Sequence, residues 1–189
     1  MTKPVSKGMF LALIGGGYAV AIVLMIVAMI AMIGGAAAAQ NAGNGQDSAA
    51  VNAAVAGGMG MMMLAMACLW VPLIAFLVLL YKAWSAIQDG QVRTTPGKAV
   101  GFLFIPFYNF YWMFPAIWGW AQDYNGYTTR HGIAREEMSE GLFLAYLISS
   151  LVFVPAALVL MFIVVAKMCD GVNTIANAKP MAMGAVAAP

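Results

Sequence analysis

A chain of 189 residues that is 63% hydrophobic and 8% charged is a poor match to water-soluble domains, which carry about 25% charge and about 45–50% apolar residues. At this size so much apolar surface exceeds what one core can hide, so lipid is the expected solvent. A net charge of +2 without a clustered basic face argues against nucleic acid as a partner.

The first apolar segment, residues 8–35, is long enough to cross a bilayer with some tilt. Lys3 and Lys7 precede it as in a secretory signal. An apolar run of about 25 residues is too long for a signal's h-region of about 7–15, so it reads as a retained anchor. Gly15 with Ala19, or Gly17 with Ala21, forms a small-xxx-small pair that lets another helix approach. Residues 36–58 are an Ala/Asn/Gly/Gln linker with one acid, Asp47. Its lack of Lys and Arg places it on the non-cytoplasmic side, and its composition predicts a mobile segment.

The second segment, 59–87, carries Pro72 as a source of a kink. Lys82 and Trp84 mark its exit, and Asp89-Gly90 supplies the stop, with glycine suited to a left-handed position. Met59, Met62, Met63 and Met66 share one helical face. Thioethers bind Cu(I), but no His or second Cys joins the stripe and Cys68 is rotated away from it, so packing is the reading. Cys68 and Cys169 form neither CxxC nor a zinc spacing and read as small apolar side chains, with no disulfide favoured.

Thr95 then serves as N-cap and Pro96 as first residue of a third segment, 96–122. Twelve of the 22 aromatic residues fall between Phe102 and Tyr127. No charge interrupts Ala99 to Ala121, about 23 residues and enough to span. Pro106 and Pro115 break the pattern. Asn109 is the one strong amide and needs partners inside a bilayer. With Tyr108, Tyr111, Trp112 and Trp118 it makes a set of candidates for packing between helices or for contact with a flat lipophilic ligand.

Gln122 to Glu140 is a loop of mixed charge whose single histidine, His131, reads as solvated. No nucleophile–base pair or metal cluster accompanies it. The fourth segment, 141–168, has Ser149, Ser150 and Pro155 in mid-helix, and Cys169-Asp170-Gly171 ends it. The tail, 174–189, reads as disordered.

The predicted fold is an all-α, polytopic bundle of four apolar helices in a single domain, the third kinked by proline. Four crossings put Lys3, Lys7, Lys82, Arg93, Lys98, Lys167 and Lys179 in the cytoplasm and Arg130 and Arg135 outside. A re-entrant third segment instead moves Lys167 and Lys179 outside and returns the arginines, giving the same ratio. Charge does not choose between them; the length and helix start of the third segment favour a crossing.

YKAWSAIQDG (Tyr81 to Gly90), TTPGKAVGFLFIPFYNFYW (Thr94 to Trp112), WGWAQDYN (Trp118 to Asn125) and MCDGVN (Met168 to Asn173) together resemble a bacterial group of uncharacterised polytopic membrane proteins. The likeness covers about half the chain and rests on TPGxAVG and FIPxxNxYW. It implies a multi-pass protein of the bacterial inner membrane and nothing catalytic, while the four-crossing charge count puts the N-terminus in the cytoplasm. All sixteen Lys, Arg, Asp and Glu residues lie outside the proposed hydrocarbon spans, unlike proton relays and many ion pathways. The expected role is thus a non-enzymatic accessory subunit packed against other membrane proteins or itself. The alternative is a small transporter, channel or binder of a quinone, carotenoid or lipid, built where Pro106, Asn109 and Pro115 break the helix.

Overall fold

The structure, a computed structural model, describes residues 3–41, 48–133 and 137–186. Asp47, Arg135, Glu136 and residues 187–189 lie outside them. Every regular element among the described residues is helical: α1 (Lys7–Asn41), α2 (Ser48–Cys68), α3 (Trp70–Ala86), α4 (Pro96–Gly101), a 3-10 turn (Phe102–Phe104), α5 (Tyr108–Met113), a π turn (Phe114–Trp118), α6 (Gly119–Arg130), α7 (Glu140–Val152) and α8 (Val154–Val186). Among the described residues three helical stretches are long and apolar enough to cross a membrane: Lys7–Ala37, Val51–Ala86 and Val154–Ala178. The chain forms two compact units, Ala12–Ala75 and the remainder, Met1–Leu11 with Phe76–Pro189.

Within Ala12–Ala75, α1 lies antiparallel to the rod made by α2 and the start of α3. Gly17 faces Pro72, Gly58 faces Ala28 and Met32, and Gly35 faces Ala54 and Val55. Within this unit the buried positions of α1 are Ile14, Ala21, Ala28 and Gly35, which recur every seven residues, and so do Gly58, Ala65 and Pro72 on the partner. A seven-residue period, here with small side chains at all positions but Ile14 and Pro72, is the packing of a tight left-handed coiled coil. Of the two small-residue pairs offered by the sequence, the structure uses Gly17 with Ala21. Pro72 cannot donate to the carbonyl of Cys68, and the helix is interrupted at Leu69, one turn earlier. Leucine at Gly17, where even a Cβ falls 2.6 Å from the proline ring, is expected to cost about 1–3 kcal/mol by overpacking. Leucine at Gly16, whose surroundings are open, should change stability by less than about 0.5 kcal/mol. Thermal unfolding of the two purified variants in detergent checks the contrast.

The linker and tail differ from expectation. Helix enters the proposed linker from both sides, to Asn41 and from Ser48, and α8 continues through the proposed tail to Val186.

The larger unit is built from two fold-backs. The fourth apolar segment is not one helix. Its chain stops at Phe153, whose backbone is extended at φ −146° and ψ 85°, and α8 starts beside Pro155, which has no N–H to continue the ladder of α7. The two helices then pack against each other along their length. Gly171, well along α8, lies against Met138, which precedes α7, and against Trp120 and Tyr124 of α6. At 13 residues, α7 rises about 20 Å, short of a hydrocarbon core of about 30 Å.

Candidate functional site

Thr95 caps α4 as its sequence predicts: its side-chain oxygen accepts from the Lys98 N–H at 3.4 Å, with Pro96 at the first position. The helix lasts six residues and tightens into the 3-10 turn. The chain then reverses at Phe107, which has φ +62° and ψ −39°, while the Tyr108 N–H donates to the Pro106 carbonyl at 2.7 Å. An i to i+2 bond across a residue of positive φ is the rarer, strained kind of γ-turn. A phenylalanine there is held against its backbone preference.

The reversal brings α5 back beside α4. The Trp112 indole N–H donates to the Ala99 carbonyl at 3.2 Å, across 13 residues of sequence. Phe102 meets the edge of Trp112 with centroids 4.8 Å apart, and Tyr108 stacks on Trp112 at 5.8 Å. Tyr111 joins through Tyr108 at 5.7 Å. Four of the sequence candidates, Tyr108, Asn109, Tyr111 and Trp112, thus sit together on the returning limb, next to Pro106 in the turn. Pro115 and Trp118 belong to the π turn further along. That turn is the extra residue by which the helix absorbs a proline: the Gly119 N–H reaches back five residues to the Phe114 carbonyl. It also presents the Ala116 carbonyl to the buried indole of Trp84, which donates at 2.8 Å.

Asn109 does not find the partner expected of it. Among the described residues its Oδ1 is enclosed and accepts no hydrogen bond, and the Trp120 indole N–H and Thr94 hydroxyl are likewise enclosed without one. The methionine stripe also stays unengaged: Met59, Met63 and Met66 are exposed. Cys68 and Cys169 are both free. Among the described residues no group of His, Cys, Asp and Glu has metal-binding geometry.

What holds the hairpin at its base is a set of charged residues from the loops that flank it. Arg93 donates from its backbone N–H and its Nε to the Asp123 carboxylate at 2.8 and 2.9 Å. Its side chain passes over Gly119, where a Cβ would lie 2.9 Å from the guanidinium. Arg130 reaches Asp89 at 2.7 Å, and His131 Nε2 lies 3.4 Å from the same oxygen. Both ends of the 96–122 segment therefore meet at one end of the unit. A single crossing would hold them about 30 Å apart. The segment is thus not one straight helix: it folds back on itself at Phe107.

The remaining ties converge on the same end. Asn125 donates to the Met138 carbonyl and accepts from its N–H, each at 2.9 Å, and Asn173 grips Val5 in the same two-point way at 2.9 and 2.7 Å. Lys7 pairs with Asp170 at 2.7 Å. One amide side chain satisfies both polar groups of an extended residue, so each latch completes a segment that has no helix of its own. Asn125 and Asn173 end the WGWAQDYN and MCDGVN motifs. The acid that shortly precedes each of them, Asp123 and Asp170, is the signal the sequence offers.

Burial works against the charge on Asp89, but the hydrogen bonds from Arg130 and the Gln91 N–H, the Arg130 charge and His131 outweigh it and hold the carboxyl below its ordinary value of 3.8. A carboxyl with a lowered folded pKa contributes stability above its unfolded value and loses it as pH falls through the folded one. The melting temperature should therefore drop below pH 3.8, and Asp89→Asn should flatten that acid limb while lowering stability at neutral pH. An unchanged acid limb would contradict the role given to Asp89.

Comparison of the chain with protein-family models, characterised proteins and solved structures finds no match, so the aromatic hairpin and its ion-paired base stand on their own geometry.

Proposed function

We propose that this chain is a non-enzymatic integral membrane protein of the bacterial inner membrane, with its ion-paired end in the cytoplasm, and that it acts as a structural or accessory subunit of a larger membrane assembly. The observation that carries the reading is the outer surface of the helices. Ile30, Ile33 and Met63 are 66%, 63% and 75% exposed, on elements that bury only a narrow seam, one residue in seven along most of α1. Such continuous apolar surface needs lipid or protein against it. The side follows from charge. Lys3, Lys7, Lys82, Arg93, Lys98, Arg130 and Lys167 belong to segments that lead to the shared polar end, in place of the tied count, and the positive-inside rule puts that end in the cytoplasm.

The second reading, a small transporter, channel or binder of a quinone, carotenoid or lipid, is favoured by the unpartnered Oδ1 of Asn109 beside a broken helix, where transporters build sites. Isolation from the native membrane separates the two. The subunit role expects resistance to carbonate extraction and stoichiometric partner proteins in mild detergent. A stable monomer that carries a pigment or quinone, lost on Asn109→Leu, would overturn it in favour of the second reading. Release by carbonate without detergent would overturn both.

A further inference from the structure

We propose that the aromatic hairpin of residues 96–118 is a single-leaflet anchor: its foot lies among anionic headgroups and its turn among the acyl chains of the leaflet nearest the ion-paired end. This deepens the membrane reading and rests on it. Three features identify lipid as the occupant. The first is reach. Six residues of α4 and three of the 3-10 turn rise about 15 Å at about 1.5 and 2.0 Å per residue, which is half of a core of about 30 Å. The turn attains the midplane and no more.

The second feature is the order of polarity along the hairpin. Lys98, at the foot, is exposed and has no ion-pair partner among the described residues, so its ammonium is free for a phosphate. Trp112 follows at the level of Ala99, an amphipathic ring of the kind enriched at the interface. Phe104, Ile105, Pro106 and Phe107 form the turn with no polar side chain, and Tyr108 leans back onto Trp112. Charge, then indole, then hydrocarbon is the sequence of environments met on entering one leaflet. The third feature is the turn itself. Phe107 is 87% exposed on a strained backbone, so the fold spends conformational energy to present a bare phenyl ring. Water gives no return for that; acyl chains do.

The test uses the full chain with Cys68→Ala and Cys169→Ala as background. Single cysteines replace Lys98, Phe107, Thr129 and, as a control on the exposed face of α1, Val23. A nitroxide on Phe107→Cys, in vesicles of neutral and anionic phospholipid, is expected to be oxygen-accessible, shielded from a water-soluble nickel chelate and close to the bilayer centre. In intact cells Lys98→Cys and Thr129→Cys should both resist an impermeant maleimide and both react after permeabilisation. Nickel access at Phe107→Cys would place the turn in water and overturn the proposal. An immobilised label shielded from oxygen and nickel alike would mean a protein occupant, a second copy included, and would overturn it too. Opposite sidedness of Lys98→Cys and Thr129→Cys would restore a crossing. If the Val23→Cys label lies in water, the membrane reading itself fails. If Phe107→Cys does not reconstitute, Tyr111→Cys, on an exposed ring of the same hairpin, carries the depth measurement.

Discussion

Trp84→Ala is expected to lower stability by about 3–5 kcal/mol, the cost of emptying a buried aromatic site. Trp84 is fully buried near the end of α3, and its indole closes the contact with the π turn through Ala116. Two contributions are separable. Truncation to alanine removes the ring's packing and the hydrogen bond together. Trp84→Phe keeps most of the apolar contact and leaves the N–H donor absent, so it should cost about 1–3 kcal/mol. Denaturant unfolding in detergent, followed by circular dichroism, reads both. If Trp84→Phe is neutral, the Ala116 carbonyl does not depend on the indole, and the link drawn between Pro115, the π turn and α3 is wrong.

Gly171→Leu should be nearly as damaging, by about 1–3 kcal/mol or more, for a different reason. A Cβ at Gly171 would lie 3.1 Å from ring carbons of Trp120 and Tyr124 and from the Met138 methyl. The methyl can swing aside. The two rings are stacked on one another with centroids 5.2 Å apart and are enclosed, so they have nowhere to go. The strain displaces α8, and with it Asp170 and Asn173, which hold Lys7 and Val5. Trypsin should then cleave after Lys7 faster than in the unaltered protein. Gly141→Leu, on α7 in open surroundings, is the matched control and should leave both stability and cleavage unchanged. Equal effects from the two substitutions would mean that α8 does not pack against Trp120 and Tyr124 as described.

Local signals proved legible. Thr95-Pro96 starts a helix because an N-cap oxygen and a missing N–H act within one turn. Gly90, at φ +85°, stands after α3 where Asp89-Gly90 predicts a stop. Pro72 disturbs its helix where the lost hydrogen bond requires. Ambiguity set in wherever the same residues serve two geometries. Pro155 inside an apolar run reads equally as a kink or as the first turn of a new helix. The interlocking of α7 with α8, and of Gly171 with Trp120 and Tyr124, selects the second. The turn at Phe107 has no glycine to announce it. A strained conformation on a phenylalanine is recorded only in the contacts that enforce it. Of the candidate site, the aromatic cluster of Tyr108, Tyr111 and Trp112 was visible as composition. Asn125, Asn173 and the pairs Arg93–Asp123 and Asp89–Arg130 were not visible, because each joins residues far apart in the chain.

Composition and periodicity, without any structure, determined that these residues form long apolar helices, and where several of them begin and stop. Those properties belong to single segments and their solvent. Whether such a segment runs straight or folds back was decided by tertiary contact alone, because an uncharged run of that length fits both paths. The choice lies in which distant charges and amides meet at its two ends.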